Sequence, residues 1–600
     1  MKETVRIGGA GGFWGDTPAA LAQLVTKGDV DYIVNDYLAE LTMAIMAKMR
    51  TRDPAAGFAT DFVTLALRPV LRDVAAKGIR IVTNAGGINP RGCADALREL
   101  CADAGVPLRI AIVEGDDLLP HADDLRRRGV AEMFTGEPLP AKPVSINAYL
   151  GAFPIAAALD AGADIVVTGR CADSALTLAP LIHEFGWKPT DFDRLAAGSM
   201  AGHLLECGTQ TTGGLFTDWE SVPGRADMGY PVAVCYPDGT FDITKPPVTG
   251  GLVTPLVAAE QMLYEVGDPR NYLLPDVTCD LSRIRIDEVG ENVVRFTGVK
   301  GRAPTGTYKV SAIHQDGYRC SATLTMVGRN AAGKARLIGE AIIERCRAML
   351  RASNLGDFQE TGIEALGSEA ATFGAHARDV NPREVVLRVS VRHAEKEAIN
   401  IFGREIAPFG TGGTPGTTGF SGRPKPQEIF RLFSFLVDKD HVAVSVELDG
   451  ETVPFEPVDV AAEAPAPPGD PVQSVALEAE SPHIVVPLRD IAVARSGDKA
   501  DISHLAVIAR TPAFYPVLLA ELTEARLTEH FRHLVRGRVE RHDVPGIHAL
   551  NFLLHEALGG GGTASLRSDA LGKAFGEIVL DMEVRVPAVL LGRTGEARAA

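Results

Sequence analysis

Five short apolar runs punctuate the first 175 residues, and each leads into a polar, glycine-bearing or acidic segment. Residues 5–10 run into Gly11-Gly12-Phe13-Trp14-Gly15-Asp16, and residues 32–34 into Asn35-Asp36-Tyr37-Leu38-Ala39-Glu40. Residues 79–82 run into Thr83-Asn84-Ala85-Gly86-Gly87-Ile88-Asn89-Pro90, and residues 108–113 into Glu114-Gly115-Asp116-Asp117. Residues 165–167 run into Thr168-Gly169-Arg170-Cys171-Ala172-Asp173-Ser174. Helix-like stretches lie between them: 19–26 behind Thr17-Pro18, 91–104 ahead of Gly105, and an alanine-rich 147–161 closed by Gly162. Strands alternating with helices at this spacing predict βαβ units, and so an α/β lobe with a Rossmann-like, mostly parallel sheet. In such a sheet the five polar segments share the carboxyl edge, where open α/β folds bind ligands.

Further along, residues 293–298, 308–312, 318–327, 384–391 and 442–448 alternate as strands, and 335–350 carries helical periodicity, which predicts an α+β lobe. Residues 460–473 contain Ala-Pro-Ala-Pro-Pro-Gly without apolar periodicity and read as a linker. Beyond it, strands at 485–494, 505–509, 537–544 and 575–584 and helices at 514–522, 528–534 and 550–558 predict a small α+β domain. The expected division is 1–270, 271–458, a linker over 459–484, and 485–588.

A net charge of −17 argues against a general nucleic-acid partner, which needs a basic surface. No run of about 18 apolar residues predicts a membrane span. The first residues hold no apolar core of a signal peptide. The eight cysteines are scattered without a C-x-x-C pair, which suits reduced thiols and a cytoplasmic location.

The candidate chemistry sits in the polar segments. Trp14 stands where G-x-G-x-x-G needs its third glycine, so the first loop does not predict dinucleotide binding. Asp16 in that loop is a ligand contact, or a member of a tight turn with Trp14 in the core. Asp36 and Glu40, at i and i+4, suit a metal or an acid–base pair if helical, and one of them equally suits a helix cap. Asn84, Gly86, Gly87 and Asn89 offer amide donors for an oxyanion, or form a turn and a cap. Arg170 suits a carboxylate or phosphate, beside Asp173 and Ser174. Cys171 has no histidine near it in sequence to make a thiolate nucleophile. His203 and Glu206, at i and i+3, predict a general acid–base pair or a plain hydrogen bond, with Gln210 following in a glycine-rich loop. The pattern is not H-E-x-x-H, and no metal site is expected. Residues 406–426 form a Gly/Thr/Pro loop in which Arg423 could meet an anion, unless the loop is simply surface. The charged stretch 494–504 is a salt-bridged turn, or completes a site from across the linker.

At this point the chain resembles the acyclic terpene utilisation family AtuA. The resemblance rests on residues 8–16, 31–41, 82–91, 167–175, 202–214, 260–269 and 494–507, and on Thr-Lys-Pro-Pro-Val-Thr-Gly-Gly-Leu-Val-Thr over 244–254. It implies an AtuA-type region to about residue 455, a C-terminal ferredoxin-like domain, and a role in bacterial breakdown of branched terpenoid acids as CoA thioesters. It carries no residue roles. The resulting expectation is a lyase or hydratase, without cofactor, acting on a branched unsaturated acyl-CoA or carboxylic acid. The Asn84 loop and Arg170 would hold the oxygen, and Glu206 or His203, with Asp36 or Asp173, would move the proton. The competing expectations are a non-catalytic acyl-CoA-binding or assembly subunit, and a metal-dependent hydrolase using Asp16, Asp36 or Asp173. A homo-oligomer is expected.

Overall fold

The computed structural model describes residues 2–378, 381–420, 422–458, 460–467, 482–562 and 564–592. The expected linker therefore lies largely outside the described residues.

Five strands run parallel at the centre of the first sheet, in the order Val5–Gly9, Tyr32–Asn35, Arg80–Thr83, Ile165–Thr168, Ile110–Glu114. Their side chains alternate between two cores. Ile33, Ile81, Ile112 and Val167 pack beneath Leu21, Leu24 and Leu97 of the helices Ala19–Lys27 and Pro90–Ala104. Ile7, Val34, Val82 and Val166 pack on the other face, against the helices Phe153–Asp160, Ala175–Phe185 and Phe192–Glu206. Both faces are covered, which is why the strands read as continuous apolar runs.

The expectation of a mostly parallel sheet is corrected. Antiparallel strands extend both sides, so the full sheet has eleven strands, and only the central five are mutually parallel. Val232–Cys235 joins Val5–Gly9, followed by Phe241–Thr244, Val293–Thr297 and Arg285–Gly290; Ser445–Leu448 and Glu451–Val453 close the other side. A second, antiparallel sheet is built on the 21-residue strand Thr307–Val327, which pairs with Glu384–His393, Gln427–Asp438 and Pro143–Ala148. The separate strands expected at 308–312 and 318–327 are thus one strand with an irregularity between Gln315 and Tyr318. Strands from both sides of residue 270 share each of these sheets.

The helix expected at 147–161 is shorter. Pro154 stands in its first turn, and it runs Phe153–Asp160. The C-terminal unit has a four-stranded antiparallel sheet in the order Ala492–Lys499, Ile502–Ala509, Ala549–Leu554, Val539–Val544. Where a helix was expected at 550–558, the strand Ala549–Leu554 is found instead, and 575–584 divides into the helix Phe575–Leu580 and the strand Glu583–Pro587. The span 485–494 divides likewise, between His483–Pro487 and Ala492–Lys499. The helix expected at 528–534 lies at Glu524–His530. No helix among the described residues is long and apolar enough to cross a membrane.

Candidate functional site at the carboxyl edge of the parallel strands

Arg80–Thr83 and Ile165–Thr168 are neighbours, yet they run into helices on opposite faces of the sheet. Loops that diverge in this way open a crevice, the usual ligand position in such sheets. The polar segments around it are stitched together. Asn35 Nδ2 donates to Ala10 O at 2.6 Å, joining the first two. Asn84 joins the second and third: its Oδ1 accepts from Tyr37 N at 2.8 Å and its Nδ2 donates to Asp36 Oδ1 at 2.5 Å. Arg170 reaches the second segment by donating to Leu38 O at 2.6 Å, and its backbone N donates to Asp116 Oδ2 of the fourth at 2.8 Å. Gly86 is required by this closeness, because a Cβ there would meet the Thr168 carbonyl oxygen.

Three carboxyls in the cleft are driven in opposite directions. Burial, with the charge of Asp173, pushes Asp36 well above the usual carboxylate range, against the pull of Arg170 and Asn84. Burial also raises Glu206, only partly offset by His203. For Glu40 burial works upward too, but Lys309, Arg170, Lys499 and the Tyr149 hydroxyl, 2.6 Å from its Oε1, outweigh it and hold it well below the ordinary value. Arg170 lies under the same group: its Nη1 meets Asp173 Oδ1 at 2.7 Å, and its Cζ sits 4.2 Å over the Tyr149 ring. Burial would lower the guanidinium's affinity for its proton, and Asp173, Tyr149, Glu40 and Asp36 more than restore it.

The helix Phe192–Glu206 places His203 and Glu206 on one side, Nδ1 to Oε1 at 3.0 Å. His203 Nε2 lies 3.2 Å from Gln261 O, a carbonyl that can only accept, so this nitrogen carries its proton. Tyr272 OH lies 3.3 Å from Nδ1. Burial pulls the imidazole downward, but the charge and hydrogen bond of Glu206 raise it.

Asp36–Ala39 precedes the helix Glu40–Arg52, so Asp36 and Glu40 do not share a helical face. Asn84 is fully buried and occupied by Asp36 and Tyr37. Asn89 caps the helix Pro90–Ala104, its Oδ1 accepting from Gly92 N at 3.1 Å. Gly87, at φ +54°, packs on Met46. Asp16 ties its own turn, accepting from Gly12 N at 3.1 Å, Thr17 N at 2.7 Å and Tyr230 OH at 3.1 Å. Trp14 Nε1 donates to Asp61 at 2.7 Å. Gln210 accepts from Arg495 of the C-terminal unit. Arg423 is exposed on the second sheet's lobe and donates to Asn400 O at 3.5 Å, away from the crevice. Cys171 is buried, and its thiol is pushed up by burial. All eight cysteines are free. Among the described residues no group of three His, Cys, Asp or Glu is disposed to hold a metal ion. A concavity of about 800 Å³ lies elsewhere, over the antiparallel strands by Arg6, Asp242 and Lys245.

Sequence reasoning passed over Tyr149, Lys309, Glu265 and Tyr264, and it offered Lys499 only within the charged stretch 494–504; all five reach the cleft from distant segments. It also left Asp116 out of the site. Asp116 is buried under the crevice and pushed up to about 7 by burial, against hydrogen bonds from Arg170 N and Asn147. A carboxyl raised in the folded state favours folding in full below its unfolded value near 4, and that contribution is lost as pH rises through 7. Asp116→Asn should therefore gain on the parent by about 1.4 kcal/mol per pH unit between 4 and 7. Denaturant unfolding across that range checks this, and a pH-independent difference would contradict it. Asn89→Ala should cost about 1 kcal/mol by the same measurement, through loss of the cap, with ligand binding unchanged.

No curated protein and no solved structure matches the chain. A family model described as "Acyclic terpene utilisation family protein AtuA" matches residues 5–448, and one described as "AtuA ferredoxin-like domain" matches residues 486–585. The first covers the whole strand-end cleft except the hairpin that supplies Lys499, and the second covers that hairpin. The chain therefore belongs to the acyclic terpene utilisation family AtuA, with that family's ferredoxin-like domain at its C-terminal end.

Proposed function

We propose that the strand-end cleft is an acid–base site of the lyase or hydratase kind, acting on a branched unsaturated acyl-CoA or carboxylic acid of terpenoid breakdown. The observation that carries this reading is the contrast between two neighbouring buried carboxyls: Asp36 is pushed well above the usual range, while Glu206, raised as well, has His203 at 3.0 Å to favour its charged form. Titratable groups driven apart by their surroundings are how one site keeps an acid and a base together at neutral pH.

In the hydration direction Glu206 takes a proton from water as the water oxygen bonds to the β-carbon. The π electrons move to the α-carbon, and Asp36, kept protonated, supplies the proton there. Water and alkene are consumed, and the two carboxyls exchange one proton through solvent between turnovers. His203 steadies the Glu206 charge, so it positions rather than reacts. Arg170 and Asn84 are buried and committed to Asp173, Leu38 and Asp36. They orient the acids instead of touching substrate.

The test is a thermal-shift screen against acyl-CoAs and the matching free acids, with mass spectrometry of each stabilising mixture. Binding to the folded state raises the melting temperature by mass action. The reading expects a product changed by one water or by a lost acyl fragment. Stabilisation by acyl-CoAs with no product in any mixture would instead support a non-catalytic acyl-binding subunit.

A further inference from the structure

The ferredoxin-like unit does not merely sit beside the cleft. Its first hairpin, Ala492–Lys499 paired with Ile502–Ala509, pushes its tip into it. Lys499 Nζ meets Glu265 Oε2 at 3.0 Å, and the other groups acting on it are Glu40, Tyr149 and Asp173 of the N-terminal region. Gly497 makes the approach possible, since a Cβ there would collide with the Tyr264 ring. That ring is flanked by two cations, Arg495 Cζ and Lys573 Nζ, each 4.5 Å from its centre. Lys573 also donates to the Tyr264 hydroxyl.

Two of these cations, Arg495 and Lys573, are poorly neutralised. Arg495 donates to the Gln210 carbonyl rather than to a carboxylate, and its buried Nε–H has no partner among the described residues. Lys573 has Asp498 only at 3.9 Å, and burial pushes that carboxyl up to about 6. Glu265, held near 2 because Lys499 and Lys573 outweigh its burial, is the firmly ionised partner of the group. Lys499 is thus matched by Glu265, with Glu40 and Asp173 acting on it as well, while Lys573 and Arg495 lack a full partner. Arg495, 7% exposed, is a cation kept out of water without a full partner, which is costly unless a ligand supplies the missing charge. Two of the three are open to one: Lys499 and Lys573 keep 52% and 38% of their side-chain surface accessible.

We infer that Lys573 and Lys499, backed by Arg495, form an oxyanion subsite on the C-terminal wall of the cleft, which holds a carboxylate of the substrate. The inference rests on the acid–base reading of the same cleft, and it adds the group that anchors the substrate. Phosphate, as in a CoA arm, shares the chemistry and is separated by the test.

The probes are 3-methylcrotonate, its methyl ester, inorganic phosphate and coenzyme A, titrated calorimetrically into the full chain. The expected result is binding of 3-methylcrotonate, weakened at least tenfold in Lys573→Met and restored to within a few fold in Lys573→Arg, with the ester binding poorly to all three. Phosphate or coenzyme A binding with the same dependence on Lys573, and no binding of the acid, would reassign the subsite to phosphate and overturn the carboxylate. Equal binding of the acid by Lys573→Met and the parent, or no binding of any probe by the parent, would overturn the subsite. Glu206→Gln keeps the two readings apart. If it and the parent both bind the acid without turnover, the subsite stands and the acid–base reading fails. Turnover with unchanged KM in Lys573→Met has the opposite meaning.

Discussion

Replacing Glu206 by Gln is expected to lower turnover by about 10²–10⁴-fold, the range a positioned general acid or base supplies, while the protein keeps its fold. Gln is nearly the same size, can still hydrogen-bond His203 by donating from its amide to Nδ1, and cannot take a proton from water. Two features make the loss large. Glu206 is raised by burial, so it is a stronger base than an exposed carboxylate, and His203 faces it at 3.0 Å to stabilise its charged form. The pH dependence follows from the same pair. Activity requires the ionised carboxylate, so the acidic limb of the rate profile should lie above the usual glutamate value and move further up in His203→Ala, which removes the stabilising partner. A variant Glu206→Gln with parental turnover on an authenticated substrate would remove Glu206 from the chemistry.

The second large effect is on stability. Arg170→Met should cost about 3–5 kcal/mol, read as a lower denaturation midpoint, because the guanidinium is buried where it bridges the second and fifth polar segments. Met keeps the length of the side chain and loses the donors to Leu38 O and Asp173, together with the cation over Tyr149. What remains is the buried Leu38 carbonyl without its donor and a half-buried Asp173 without its counter-charge, which accounts for most of the cost. Arg170→Lys should recover part of it, since charge returns but one ammonium cannot reproduce the planar stack and both bonds. A midpoint unchanged in Arg170→Met would mean that the crevice is not held by this residue.

What the sequence made legible follows from how locally each feature is encoded. The strand-end segments were readable because each is a short apolar run breaking into turn-forming residues, and parallel strands necessarily put those breaks on one edge. His203 and Glu206 were readable because i and i+3 on a helix is a local relation. The strand Ala549–Leu554 was not. Leu550, Phe552 and Leu554 enter the C-terminal core, while Ala549 packs on the main core and Asn551 Nδ2 donates to Val266 O at 2.8 Å, so both faces are buried and no alternation shows. Asn89 illustrates the opposite failure, a polar residue at a strand end whose work is to cap a helix. Lys499 stood in a visibly charged hairpin, but its partner Glu265 is 234 residues away, and nothing local in either segment announces the pairing.

An acid–base cleft must move a proton to and from bound substrate. The deciding measurement is solvent deuterium incorporation: an acyl-CoA that stabilises the protein is incubated in deuterium oxide with the parent and with Glu206→Gln, and its mass is followed. The parent is expected to introduce deuterium, with or without net addition of water, while Glu206→Gln binds the same ligand and introduces none above the uncatalysed level. Equal incorporation by both proteins, or bound ligand that never exchanges with the parent, would contradict it.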